Sequence, residues 1–231
     1  SLKQNPTPLS FEKIEEPKIN EGEVLIRVTR CGVCHTELDE IEGRTPPPVL
    51  PVVLGHQVVG IIEDGKNKGQ RVGVAWIASA CGKCPHCLVG NENLCSEFNS
   101  TGRDVNGGYA EYMKARAGFV HPIPDAFTDS EAAPLLCAGA IGYRSLRLSN
   151  IADGQNLGLM GFGGSNHLVL KIAKHKFPNT SIFVFSRNPE EREFALSLGA
   201  AWAGEIEQSP LEGMDAVIDT TPVWGRVSEA L

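Results

Sequence analysis

The chain has 231 residues, with 28 Asp and Glu against 21 Lys and Arg, a formal net charge of −7, and 42% hydrophobic against 21% charged residues. That length suits one large domain or two small ones, and the composition is globular rather than disordered. The acidic balance argues against a nucleic-acid-binding protein, no apolar run reaches the ~18 residues of a membrane span, and the start SLKQNPTPLSFEKIEEP lacks the basic head and apolar core of a secretory signal.

Residues 22–30 alternate, with Val24, Ile26 and Val28 on one face, which predicts a half-buried strand. Gly32 ends it just before Cys34. Residues 43–51 (GRTPPPVLP) are too proline-rich for anything but an exposed loop. Residues 52–62 form a β-rich run interrupted by Gly55 and Gly60, a turn follows at 65–70, and 71–77 is a further strand. Short strands spaced by turn signals predict a compact β domain or barrel.

The character changes after Asp125. Thr128-Asp-Ser-Glu131 has capping-box form and opens an Ala/Leu-rich helical stretch that Pro134, Gly139 and Gly142 are expected to bend or segment. Beyond 155 the pattern alternates. Strands are predicted at 157–160, 182–185, 201–203 and 216–219, and helices at 166–176, 189–198 and 223–231. This order predicts a parallel α/β sheet. The boundary is placed so that residues 1–148 form the β domain, with a cysteine lobe at 80–96, and 149–231 form the α/β domain.

Seven cysteines, at 31, 34, 81, 84, 87, 95 and 137, are the unusual feature. In a chain of this kind clustered cysteines read better as metal ligands than as a disulfide framework. Cys81, Cys84, Cys87 and Cys95 follow the pattern C-x2-C-x2-C-x7-C, which can close a tetrahedron of thiolates around one Zn²⁺. Four sulfurs leave no open position, so the site is expected to be structural and His86 a bystander. Cys34 (in CGVCHTELD), His56 (in LGHQVVG) and Cys137 (in PLLCAGAIGYRSL) each read, taken singly, as buried residues, and spacing alone does not join them.

Taken together and in order, CGVCHTEL, LGHQVVG, the four-cysteine lobe, GGYAEY and LLCAG resemble the zinc-containing alcohol dehydrogenases of the medium-chain dehydrogenase/reductase family, over nearly the whole chain. The resemblance implies a mixed α/β fold: a GroES-like β-barrel catalytic domain plus a Rossmann dinucleotide-binding domain. It implies Cys34, His56 and Cys137 as ligands of a catalytic zinc, the Cys₂His set known for alcohol dehydrogenase, with the fourth position open. That zinc would act as a Lewis acid during hydride transfer between an alcohol/aldehyde pair and a nicotinamide. Thr36 would pass on the substrate proton, His35 would lie near the cofactor pyrophosphate, and Glu37 would orient a ligand. Trp76 matches an aromatic lining the substrate pocket in some members, or is an ordinary core or surface tryptophan. Gln57 stands where the family usually has Glu, Asp39 where many members have a relay histidine, and Ile141 where a threonine often lies near the nicotinamide.

Gly161, Gly163 and Gly164, in LGLMGFGGSNHL, lie between a predicted strand and a predicted helix. Gly161 suits the tight turn and Gly163 the approach of a pyrophosphate to the helix N-terminus. Asn166 occupies the third position of the G-x-G-x-x-G pattern, so helix and strand are expected to meet differently there. About 20 residues further on, where NAD enzymes place an acid, the chain has Ser186 and then Arg187. That pair suits a 2′-phosphate and predicts NADP(H) over NAD(H).

The expectation is an enzyme with two zinc ions per chain and NADP(H) or NAD(H). It would act on a small alcohol or aldehyde in the cytoplasm as a homodimer or homotetramer, without nucleic acid or membrane. Cys31 is left over. Related zinc reductases acting on polyols or activated double bonds, and a non-catalytic scaffold keeping one zinc, are the alternatives; the charge disfavours a zinc-ribbon nucleic-acid binder. A Rossmann sheet has six strands and only four candidates are visible, so the sequence is expected to be part of a longer enzyme.

Overall fold

In a computed structural model, which describes residues 8–208, 210 and 212–221, the alternating stretch after residue 22 forms strand β1 (Glu23–Cys31). Val24 and Ile26 are fully buried, and Val28 packs against the same cluster. The strands that follow are β2 (Val58–Asp64), β3 (Arg71–Val74), β4 (Ile77–Ser79), β5 (Asn99–Ser100), β6 (Tyr112–Arg116) and β7 (Val120–Pro122). Five of them make one antiparallel sheet in the order β6-β1-β2-β3-β7, and β4 pairs with β5. Ile26 stands opposite Ile62 on one side and Met113 on the other, so the buried face is continuous across three strands.

The sheet has to curl. β6 and β7 are its two edges, yet only the 3₁₀ turn Ala117–Phe119 separates them in the chain. Four 3₁₀ steps span roughly 8 Å, whereas the edges of a flat five-stranded sheet stand roughly 19 Å apart. This is the barrel-type sheet expected from the sequence. Two strands differ in extent. The 52–62 run joins the sheet only from Val58, Gly60 lies within β2 opposite Val28, and residues 53–57 instead form the loop that holds His56. The 71–77 run breaks at Ala75–Trp76 into β3 and β4.

Three short helices belong to this first unit: α1 (His35–Ile41), α2 (Pro85–Leu88) and α3 (Asp129–Ala132). α3 begins where the capping box predicts. The Thr128 hydroxyl accepts the Glu131 N–H at 3.3 Å, and the Glu131 carboxylate accepts the Thr128 N–H at 2.9 Å. A 3₁₀ turn, Ala133–Leu136, carries Pro134 and stops at Cys137.

The second unit contains α4 (Ala138–Leu148), β8 (Asn156–Met160), α5 (Asn166–Lys176), β9 (Ser181–Phe185), α6 (Pro189–Ser197), β10 (Trp202–Gly204) and β11 (Ala216–Asp219). Its strands are all parallel in the order β10-β9-β8-β11. Numbered from β8, that order is 3-2-1-4, the first four positions of the six-stranded dinucleotide-binding sheet. Leu157, Leu159, Leu170 and Ile182 form its dry centre, each contributing about 1.5–3 kcal/mol by burial. The helix expected at 223–231 lies outside the described residues.

The two units are Ser1–Cys137 and Ala138–Leu231, so the division falls before α4 rather than after residue 148. The reason is packing: Leu146 of α4 joins the core of the second unit with Leu157, Val169 and Ile182. Gly139 and Gly142 do not segment the helix. A Cβ on Gly142 would stand 3.0 Å from Val169 Cγ2 and 3.2 Å from the Ser165 carbonyl oxygen, so this glycine permits the close approach of α4 and α5.

Candidate metal centres and cofactor turn

The lobe is built from one short stretch of chain. Pro85 opens α2 directly after Cys84, and the sulfurs of Cys81, Cys84, Cys87 and Cys95 all lie within 4.8 Å of one another. Cys84 and Cys87 are 3.5 Å apart, and Cys81 and Cys87 3.9 Å. Four sulfurs each 2.3 Å from a central ion would stand roughly 3.8 Å apart, so the donor set fits a tetrahedral Zn²⁺. All seven cysteines are free thiols, so the four sulfurs of the lobe are not consumed by disulfides. Backbone amides point at the sulfurs: Cys84 N–H donates to Cys81 at 3.3 Å, and Cys81 N–H to Cys95 at 3.4 Å. The Lys83 and Cys84 amides draw the Cys81 thiol down to about 7, while desolvation and the neighbouring sulfurs push Cys87 up to about 12. His86 is exposed on α2.

The second set is assembled from three distant parts of the chain, all in the first unit. Cys34 is the residue from which α1 starts, His56 lies in the loop before β2, and Cys137 ends the 3₁₀ turn after α3. Their ligand atoms lie within 4.8 Å of one another, with Cys34 and Cys137 sulfurs 3.9 Å apart. Glu37 ties two of the three together. One carboxylate oxygen accepts the Cys34 N–H at 2.8 Å, and the other meets His56 Nδ1 at 2.6 Å. Glu37 and His56 are 2% and 1% exposed, so this pair is held away from water. An acid in the first turn also complements the helix dipole.

With Nδ1 engaged, Nε2 is the ring nitrogen left for a ligand role, and it is buried without a hydrogen-bond partner. A hydrogen bond from Cys137 holds the Cys34 thiol down at about 3 and correspondingly raises Cys137 far above the usual thiol range. Burial opposes charge on His56, but the Cys34 sulfur and Glu37 outweigh it and lift the ring to about 9. Two thiols and a buried ring sharing protons are what a divalent cation replaces on binding. The residues present fit Zn²⁺ with one position left over.

In the second unit, Gly161 takes φ +74 at the end of β8, a conformation that favours glycine. A Cβ on Gly163 would meet nothing within 4 Å, and no side chain caps the start of α5, so that helix end offers room and amides to an anion. A Cβ on Gly164 would stand 3.7 Å from the Ala138 Cβ, an ordinary contact. Asn166, buried, does what a third glycine cannot. Its side-chain amide donates to the carbonyls of Met160 and Gly161, both at 2.9 Å, and of Ile218 at 3.3 Å. It thereby ties the helix start to the ends of two strands. Ser186 ends β9 and is buried, and Arg187 beside it is exposed.

The description Alcohol dehydrogenase GroES-like domain matches residues 20–125. A probable alcohol dehydrogenase AdhA of Mycobacterium tuberculosis is 42% identical over 97% of this chain and 67% of its own length. The chain belongs to the zinc-containing alcohol dehydrogenases of the medium-chain family. Two solved members carry the likeness into three dimensions. One is a cobalt- and zinc-bound thermostable alcohol dehydrogenase from Pyrobaculum aerophilum, with TM-score 0.86 and 26% identity over 98% of this chain and 71% of that one. The other is CAD from Helicobacter pylori complexed with NADP(H), with TM-score 0.80 and 27% identity over 89% and 63%. The chain thus spans about two thirds of the length of the family members it matches.

The remaining family positions are placed as follows. Thr36 Oγ1 lies 3.5 Å from Cys34 Sγ. The Trp76 ring meets His56 edge-on, with centroids 4.9 Å apart. Gln57 is buried beneath Gly32, where a Cβ would stand 2.5 Å from its Oε1. His35 is exposed, 3.7 Å from Asp39, and the Asp39 carboxylate is held by Arg44 at 2.5 Å. Ile141 is half exposed on α4. No helix among the described residues is long and apolar enough to cross a membrane.

Two acids escaped the sequence reading. Glu40, 1% exposed, is pushed up to about 8 by burial and then by the Glu37 charge. Its spacing of three from Glu37 on α1 was the available signal. Glu191, on α6, reaches back to Ser186, and only its place in a helix first turn hinted at a polar role.

Proposed function

We propose that this chain is a zinc-dependent, NAD(P)-linked alcohol dehydrogenase that interconverts a small alcohol and its aldehyde, with NADP(H) favoured over NAD(H). The observation that carries this is the convergence of Cys34 and Cys137 on the buried His56, with the buried Glu37 behind it. The printed names of the relatives support it: one is a probable alcohol dehydrogenase, one a cobalt- and zinc-bound alcohol dehydrogenase, and one is complexed with NADP(H).

Cys34, His56 and Cys137 would hold a catalytic zinc, which supplies Lewis acidity toward the substrate oxygen. Cys81, Cys84, Cys87 and Cys95 would hold a second, structural ion. Glu37 positions the ring by holding His56 Nδ1, which leaves Nε2 as the donor atom. The Thr36 hydroxyl, beside Cys34, receives the substrate hydroxyl proton and passes it outward. Trp76 walls the site on the His56 side and favours apolar substrate groups. Gln57 is neutral, so it adds no charge against an incoming anion. In the second unit, Gly161, Gly163, Gly164 and the start of α5 would receive the pyrophosphate. Arg187, exposed just after β9, would match a 2′-phosphate. The family reading also extends to a homodimer or homotetramer.

Zinc content and NADPH-linked turnover on a panel of short and aromatic aldehydes, with polyols and activated double bonds included, test this reading. Two zinc ions per chain and reduction of aldehydes are expected. One zinc and no turnover on any panel member would overturn it in favour of a scaffold.

A further inference from the structure

The sequence offers Ser186 and Arg187 as partners for a 2′-phosphate, but the structure gives Ser186 other work. Its hydroxyl donates to Glu191 Oε2 at 2.5 Å and accepts the Asn188 N–H at 3.2 Å. Both roles of that hydroxyl are therefore filled within α6 and its cap. Arg192, the other cation nearby, is tied to the Ser186 and Arg187 carbonyls at 2.8 and 3.0 Å. Arg187 is exposed and its side chain has no partner among the described residues; it follows Ser186, whose hydroxyl holds the Glu191 carboxylate beside the end of β9.

We infer that Glu191 is a specificity-determining residue that limits 2′-phosphate binding and supports the unphosphorylated ribose, so that the chain separates NADP(H) from NAD(H) only weakly. A ribose bound at the end of β9 brings its 2′-substituent to the Ser186–Glu191 pair. A free 2′-hydroxyl can donate to the Glu191 carboxylate, the role usually filled by an acid on the strand itself. A 2′-phosphate carries close to two negative charges there. It repels Glu191 and meets a serine proton already engaged, so Arg187 must hold it alone. The acid that the strand lacks is supplied from the first turn of the following helix. This inference rests on the cofactor reading of the second unit and refines it.

The test is calorimetric titration of the zinc-loaded chain with 2′,5′-ADP and 5′-AMP, which reads binding without turnover. The unaltered protein should bind 2′,5′-ADP less than tenfold more tightly than 5′-AMP; a larger preference with Glu191 in place would overturn the inference. Glu191→Gln should tighten 2′,5′-ADP about tenfold, by removal of one like charge at a few ångströms, and weaken 5′-AMP two- to fivefold. An unchanged or falling ratio in that variant would also overturn it. If neither nucleotide binds the unaltered protein, the cofactor reading itself fails and takes this inference with it.

Discussion

The two cysteine clusters of the first unit are made in opposite ways. The lobe draws four sulfurs from residues 81–95, turned by a short helix and aimed at by its own amides. The other set draws two sulfurs and a ring from residues 34, 56 and 137, its two cysteines 103 positions apart. The lobe closes on itself with sulfur alone and leaves an ion nothing further to bind. The dispersed set has three donors, a buried carboxylate behind one of them and a hydroxyl beside another. The lesson is that a local cluster can stabilise a fold, whereas a cluster assembled by the fold can present a vacant coordination position to a substrate.

Removing one ligand from each cluster puts this contrast at risk. Cys34→Ala should lower turnover at least about 10³-fold and release one zinc, with thermal stability little changed; full, zinc-independent activity would sink the assignment. Cys81→Ser should do the reverse. Binding free energy at a thiolate site is folding free energy, so a loss of several kcal/mol and a melting temperature lower by roughly 10 °C are expected. If both variants lost stability equally, the division of labour would be wrong.

Smaller changes sharpen the comparison. Glu37→Gln keeps the shape but removes the charge behind His56, and should weaken zinc in the dispersed site about 10- to 100-fold by chelator competition, leaving the lobe ion in place. Glu40 gives a pH signature. Burial lifts it to about 8, above the ordinary carboxylate value of 4.5, so the native state keeps a proton that the unfolded chain releases. Stability should therefore fall as pH rises between those values, by up to a few kcal/mol. Denaturant titrations across that window should show a flatter profile for Glu40→Gln; an identical slope would remove Glu40 as its source.

Much of this was legible in the chain. Pattern and turn chemistry located α5 and β11 to the residue and β1 within one residue at each end, because burial on one face imposes a period that local sequence carries. The lobe was legible for the same reason: its ligands are neighbours. Other features were hidden because they depend on what comes close from elsewhere. Gly142 looked like a breaker until α5 packed on it, and the 52–62 run looked like one strand until only its second half joined the sheet, the first half bonding instead to the 107–109 loop.

The sequence by itself determined the element order, the four-sulfur lobe and the glycine turn before α5, since each is a short-range property of spacing and backbone freedom. Only the tertiary structure decided that Cys34, His56 and Cys137 meet at one point, that Asn166 ties a helix to two strands, and that Glu191 reaches Ser186. The first two bring in partners from other elements, which distance along the chain does not encode until the sheets have formed, and the third depends on how the chain turns from β9 into α6.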